Sequence, residues 1–295
     1  MNQRIAVYGR PFNEPSVIPY IQQVFDNLAL HNVDIYVHYQ LHEYLQDKIN
    51  GVKYNILQAT DSLKGFIDIF ITLGGDGTLL DMVTVIRDSG IPVIGINFGR
   101  LGFLASVNKS DINAAIHAVV NREFTLDCRE LLSIDSKTNV FGNDNFALND
   151  VTIHKRDDAA MIITHVFLND EFLNSYWGDG LIISTSTGST AYSLSCGGPI
   201  IFPQSNSIVV TPVSPHNLNV RPIILPDNSK LCFEVETRSS KYLVSCDSRM
   251  AVMDETMKFL VQKANFQLNL IRLNNESYLT TLRNKLLWGL DARNY

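Results

Sequence analysis

Short apolar runs alternate with helix-like segments through the first 124 residues, and this alternation restricts the chain more than any other feature. Ile5–Tyr8, Val33–His38, Phe66–Thr72 and Pro92–Asn97 each read as a strand. Val17–Leu30, a segment beginning near Thr78, and Asp111–Val120 carry apolar residues at helical spacing. Pro19 is tolerable because it falls in the first turn of its helix. Strands separated by helices pair in parallel, so the order predicts a mostly parallel sheet flanked by helices.

The pattern changes after Phe124. Thr125–Asp135, Phe146–His154, Ala160–Leu168, Gly180–Thr185, Ser207–Val213, Lys230–Thr237 and Lys241–Cys246 are β-rich, with further β-like segments near Met250 and at Phe266–Leu273. Asn169-Asp170 marks a hairpin turn. Glu276–Trp288 then returns to helical spacing through Leu279, Leu282, Leu286 and Leu287. A chain of 295 residues has room for two domains. The expected division is an α/β domain over 1–124, a β domain over 125–274, and a C-terminal segment over 275–295 that packs back on the first domain.

Composition removes several function classes. A hydrophobic content of 45% with 18% charged residues belongs to a folded protein, and a net charge of −6 argues against a nucleic-acid polymer as partner. MNQRIAVYGRPF lacks the apolar core of a secretory signal, and no run approaches the roughly 20 apolar residues of a membrane span. A cytoplasmic protein is expected, with no membrane partner. Cys128, Cys196, Cys232 and Cys246 form no CxxC pair, and no HExxH occurs, so no metal-ligand set is recognisable.

The turn Gly74-Gly75-Asp76-Gly77-Thr78 follows the Phe66–Thr72 strand. Gly74 and Gly75 allow close backbone approach, Gly77 keeps the far side of Asp76 open, and a helix starting at Thr78 would present backbone donors to an anion. A carboxylate would repel phosphate by itself. Asp76 therefore suggests a proton-accepting, hydroxyl-orienting or metal-linked role, against the plain alternative of a tight turn. The segment is neither a GxxxxGK[ST] loop nor a GxGxxG fingerprint.

Together with GINFGRLGFL at Gly95–Leu104, ALND at Ala147–Asp150, GDGLIISTSTGSTAYSLSCGGPI at Gly178–Ile200, TPVSPHNLNVRPI at Thr211–Ile223 and SCDSR at Ser245–Arg249, this turn closely resembles the NAD kinase family. The similarity extends to LRNKLLWGL at Leu282–Leu290. It implies an α/β domain, a β-sandwich domain, a C-terminal helix returning to the first domain, and a site in the cleft between the domains. It also implies a homodimer or homotetramer. The activity implied is phosphoryl transfer from ATP or another triphosphate to the adenosine ribose 2′-hydroxyl of NAD, with a divalent ion, Mg²⁺ foremost, neutralising phosphate charge. Two alternatives stand beside it: a lipid kinase of the diacylglycerol type, which shares a GGDGT-like turn, and a non-catalytic dinucleotide-binding protein.

The resemblance makes Asp76 the general base and assigns nucleotide contacts to Gly74, Gly75, Gly77 and Thr78. Asn149 and Asp150, otherwise readable as a turn, become dinucleotide contacts; many family members carry Glu where Asp150 stands. Asp179, Thr190, Ala191, Tyr192 and Ser195 line the implied pocket, although Tyr192 also suits a core position. Ser186 replaces the proline of STPTGSTAY. Asn97, Phe98 and Arg249 complete the expected set, with a core role open for Phe98 and a solvated one for Arg249.

Overall fold

In the computed structural model the early alternation folds as a parallel sheet. Its strands are β1 (Arg4–Gly9), β2 (Asp34–His38), β3 (Asn55–Leu57), β4 (Ile69–Leu73) and β5 (Val93–Asn97), in the order β3-β2-β1-β4-β5. β4 and β5 are buried along their whole length, which explains why they read as unbroken apolar runs. Helices α1 (Ile18–Leu30), α2 (Tyr39–Leu45), α3 (Asp76–Ile86) and α4 (Ile112–Val120) accompany the sheet. α1 buries Ile21, Val24, Phe25 and Leu28, and α4 buries Ile112, Ala115, Ile116 and Val119. These are the i, i+3, i+4, i+7 stripes that the spacing predicted, and both join one core cluster. At seven and three residues, α2 and β3 are too short to register as a period, and the sequence reading omitted them.

Residues 2–100, 102–156, 161–274 and 277–288 are described. Expectations placed on Leu101, Asp157, Asp158, Ala160, Glu276 and Leu290 lie outside these residues. The chain divides into two units, Met1–Cys128 with Leu268–Tyr295, and Arg129–Gln267.

The second unit is a β-sandwich. One antiparallel sheet runs Glu171–Gly178, Ile162–Leu168, Leu231–Glu236 and the start of the strand Phe259–Leu273. The other runs Ile223–Pro226, Ser207–Val213, Gly180–Thr185, Asp150–Lys155, Lys241–Cys246 and Arg249–Asp254. A shared core joins Val151, Ile153, Leu181 and Val244 of one sheet to Val166, Phe233 and Phe259 of the other. At the Asn169-Asp170 turn both residues have positive φ, +49° and +69°, which matches a type I′ hairpin.

A helix at Tyr278–Leu286 belongs to the first unit. Of the four leucines expected to face inward, Leu282 is 3% exposed, whereas Leu279 and Leu287 are mostly in solvent. The helix is anchored instead by Leu282 and by contacts with Phe103, whose ring lies 6.4 Å from Tyr278 and 5.9 Å from the Lys285 ammonium.

Candidate functional site

The glycine turn leaves β4 with Gly74 at φ +144°, and a Cβ there would lie 2.3 Å from Thr78 Oγ1. Only glycine fits this bend. The helix begins at Asp76, two residues before the expected Thr78 start. Gly75 is extended and acts as the cap, its carbonyl accepting the amides of Thr78 at 3.0 Å and Leu79 at 3.3 Å. Asp76 thus sits in the first turn of α3, where a negative charge is favoured and the leading amides have no acceptor four residues back.

The Asp76 carboxylate turns away from its own helix towards the loop after β5. Oδ2 accepts the amide of Phe103 at 2.8 Å, and Oδ1 accepts those of Leu104 at 3.0 Å and Ala105 at 2.9 Å. Gly102 makes this seat possible, because a Cβ there would fall 1.8 Å from Oδ1. A carboxylate has about four acceptor directions. Two are used on Oδ1 and one on Oδ2, so a further donor is best received at Oδ2.

Asn97 shapes the approach to that loop. Its Oδ1 accepts the Gly99 amide at 2.9 Å and its Nδ2 donates to the Arg100 carbonyl at 2.7 Å. Phe98 points the other way. It is 9% exposed and packs on Phe12 and Tyr20 at ring separations of 5.6 and 6.2 Å, the core position left open for it.

In the second unit the organising residue is Asp247, which sequence reasoning did not single out although SCDSR contains it. Its carboxylate is 3% exposed. Oδ2 accepts the Leu148 amide at 2.9 Å; Oδ1 accepts those of Asn149 and Asp150 at 2.8 and 3.3 Å. The Asp247 amide donates back to the Asp150 carbonyl at 3.0 Å. Burial pushes the Asp247 carboxyl up, and these amides and Arg249 oppose that rise.

Held this way, the Asn149 carboxamide has no hydrogen-bond partner among the described residues, while its backbone carbonyl accepts the Thr185 amide at 2.9 Å. Asp150 is 6% exposed. Burial, reinforced by the Asp247 charge, pushes its carboxyl up to about 7.

Arg249 is not the solvated side chain offered as one alternative for it. Nε donates to the Cys246 carbonyl at 3.1 Å, Nη1 to the Asp144 carbonyl at 2.9 Å, and Nη2 to the Phe146 carbonyl. The guanidinium also covers the Phe146 ring and lies 3.5 Å from Asp247. It clamps the segment leading into Asn149-Asp150.

Asp179 pairs with Lys155 at 2.8 Å. Tyr192 is 40% exposed, which removes the core alternative. Burial, then the Cys196 thiol and the Asp150 and Asp179 carboxylates, push its phenol up, so these groups share one neighbourhood. Ser195 lies on the same short helix, Tyr192–Ser195, which follows the Gly188–Thr190 turn through Ala191. The Thr190 hydroxyl donates to the Thr187 carbonyl at 3.2 Å.

The model of the ATP-NAD kinase N-terminal domain matches residues 5–124, and that of the C-terminal domain matches 148–273. Both matches are to domains of a phosphotransferase. The NAD kinase of Cytophaga hutchinsonii is 43% identical, covering 98% of this chain and 99% of its own. That of Flavobacterium psychrophilum is 43% identical, covering 99% and 100%. The chain belongs to the NAD kinase family. A yeast NADH kinase solved with NADH shares the fold at a TM-score of 0.85 and 24% identity, covering 98% of this chain and 89% of that one. An Archaeoglobus fulgidus NAD kinase solved with ATP shares it at 0.73 and 20%, covering 97% and 99%. The lipid-kinase and non-catalytic readings gain no support from these comparisons. Among the described residues no helix is long and apolar enough to cross a membrane.

Proposed function

We propose that this NAD kinase transfers the terminal phosphoryl group of ATP to the adenosine ribose 2′-hydroxyl of NAD, with Asp76 as the general base. The observation that carries this reading is the seat of the Asp76 carboxylate on the amides of Phe103, Leu104 and Ala105. Those bonds hold both oxygens in one orientation and leave a lone pair of Oδ2 for a hydroxyl donor. A carboxylate is too weak a base to strip the proton from a free alcohol. The proton therefore moves to Oδ2 as the new O–P bond forms, and the bond from phosphorus to the ADP oxygen breaks.

In the first unit, Gly74, Gly75, Gly77 and Thr78 are the proposed phosphate-facing backbone, with the first-turn amides of α3 as donors. In the second, the unpartnered Asn149 carboxamide and Asp150 are proposed to take ribose hydroxyls or the adenine edge. Asp179, Thr190, Ala191, Tyr192 and Ser195 complete that surface. Asn97 and Arg249 act through the loops they hold. Phe98 acts from the core.

Asp76 spends three of its about four acceptor directions on amides, Asp81 of the same helix is paired with Arg10, and no cluster of three metal-ligating side chains occurs among the described residues. These residues do not fit a resident metal. A divalent ion such as Mg²⁺ is proposed to enter with the triphosphate as part of the donor substrate, balancing charge on its oxygens. We propose further a cytoplasmic homodimer or homotetramer.

The test is direct product analysis of NADP or NADPH from NAD or NADH with several triphosphates and divalent ions, for the native chain and Asp76→Asn. The variant is expected to lose at least about 100-fold in kcat while still binding NAD. Near-normal turnover of Asp76→Asn would remove Asp76 as the base.

A further inference from the structure

The peptide between Phe103 and Leu104 is gripped at both ends. Its N–H donates to Asp76 Oδ1 at 3.0 Å, and its C=O accepts from Arg272 Nη2 at 3.4 Å. In a trans peptide the C=O and N–H point in opposite directions. The guanidinium therefore faces one pole of the peptide dipole and the Asp76 carboxylate faces the other. Arg272 is itself oriented, since Nε donates to Asp127 Oδ2 at 3.1 Å, with the two side chains 18% and 11% exposed.

We propose that Arg272 is a positioning residue for Asp76, acting through the Phe103–Leu104 peptide. The inference rests on the reading of Asp76 as the base. A cation on the carbonyl polarises the peptide and strengthens its N–H as a donor, which fixes the carboxylate oxygen at the far end. It also blocks rotation of that peptide. Rotation would withdraw the Leu104 amide and disturb the Phe103 and Ala105 amides beside it. Among the described charged groups, Arg272, paired with Asp127, touches the Phe103 carbonyl, Lys285 lies over the Phe103 ring, Arg100 is in the loop itself, and Asp81 of α3 pairs with Arg10. Lys285 touches the ring rather than the peptide, so Arg272 is the cation placed to act on this hydrogen bond.

Arg272→Met keeps the bulk of the stem and removes the charge; Arg272→Lys restores charge without the planar fork. Arg272→Met is expected to lower kcat about tenfold or more, with KM for NAD and ATP changed less than about threefold. Arg272→Lys should recover part of the kcat loss. Asp127→Asn tests whether Arg272 matters only as a buried ion-pair partner. It should lower the melting temperature while lowering kcat less than Arg272→Met does, because the Asn oxygen can still accept from Nε.

In Asp76→Asn, adding Arg272→Met should cost almost nothing further, because the group being positioned is already gone. Additive losses, a rise in KM that accounts for the whole effect of Arg272→Met, or no recovery of kcat in Arg272→Lys would each overturn the proposal. If Arg272→Met does not fold, Arg272→Lys carries the same kcat-against-KM comparison. Failure of the base reading has a different signature: Asp76→Asn alone turns over normally, whatever Arg272 does.

Discussion

Asp150 and Asp76 are both carboxylates in short turns, yet their surroundings give them opposite characters. Asp76 accepts three amides, whereas Asp150 is buried beside Asp247 and its carboxyl is pushed up to about 7. A buried acid whose folded pKa lies above the unfolded value of about 4 contributes stability that is fully present below that value. The contribution is lost as pH rises through the folded pKa, here between about 4 and 7. Asp150→Asn, nearly isosteric and uncharged, should therefore be more stable than the native chain at pH 8, by about 1–3 kcal/mol. The advantage should vanish towards pH 4. Urea denaturation across this range measures it, and parallel pH curves for the two proteins would contradict the assignment. Both residues were legible as candidates from their motifs, but nothing local distinguishes a charged seat from an apolar one.

The elements that hold these residues are joined by contacts far apart in the chain. The hairpin carrying Asp247 and Arg249 reaches back to the segment 144–150, with Arg249 serving the carbonyls of Asp144 and Phe146. Arg249→Met should strand those carbonyls and leave Asp247 without its cation. The expected cost is about 2 kcal/mol in urea denaturation, with weaker NAD binding by titration calorimetry. An unchanged midpoint would mean the clamp contributes nothing. Sequence analysis placed Arg249 in its motif without the carbonyls of Asp144 and Phe146 that it serves. An arginine after a turn looks solvated or ligand-facing until the turn is folded against a second loop. The early start of α3 has a similar origin, because Gly75 caps the helix only once the chain has bent at Gly74.

At the scale of the whole molecule, the chain enters the first unit, leaves for the second, and returns at Leu268. The returning segment brings Arg272 and then the helix Tyr278–Leu286, with Leu282 buried and Tyr278 and Lys285 against Phe103. Ending the chain before Tyr278 should cost the first unit about 2 kcal/mol from Leu282 alone. Hydrogen exchange should then quicken over residues 102–107 and stay slow over 181–185. Equal exchange at both would show that the helix does not support the loop under Asp76.

The sequence by itself determined the strand and helix periods and the change to β-rich structure after Phe124, and it singled out Asp76, Asn149 and Asp150 as candidates. These follow from local spacing and from the small set of side chains that can do the chemistry. It also carried the family resemblance. Tertiary structure alone decided that Phe98 faces the core, that Arg249 and Asp247 build a loop, and that the Asp76 carboxylate rests on amides 27 to 29 residues away. Hydrogen-bond partners at that separation are chosen by how sheets and loops pack, and no periodicity along the chain records them.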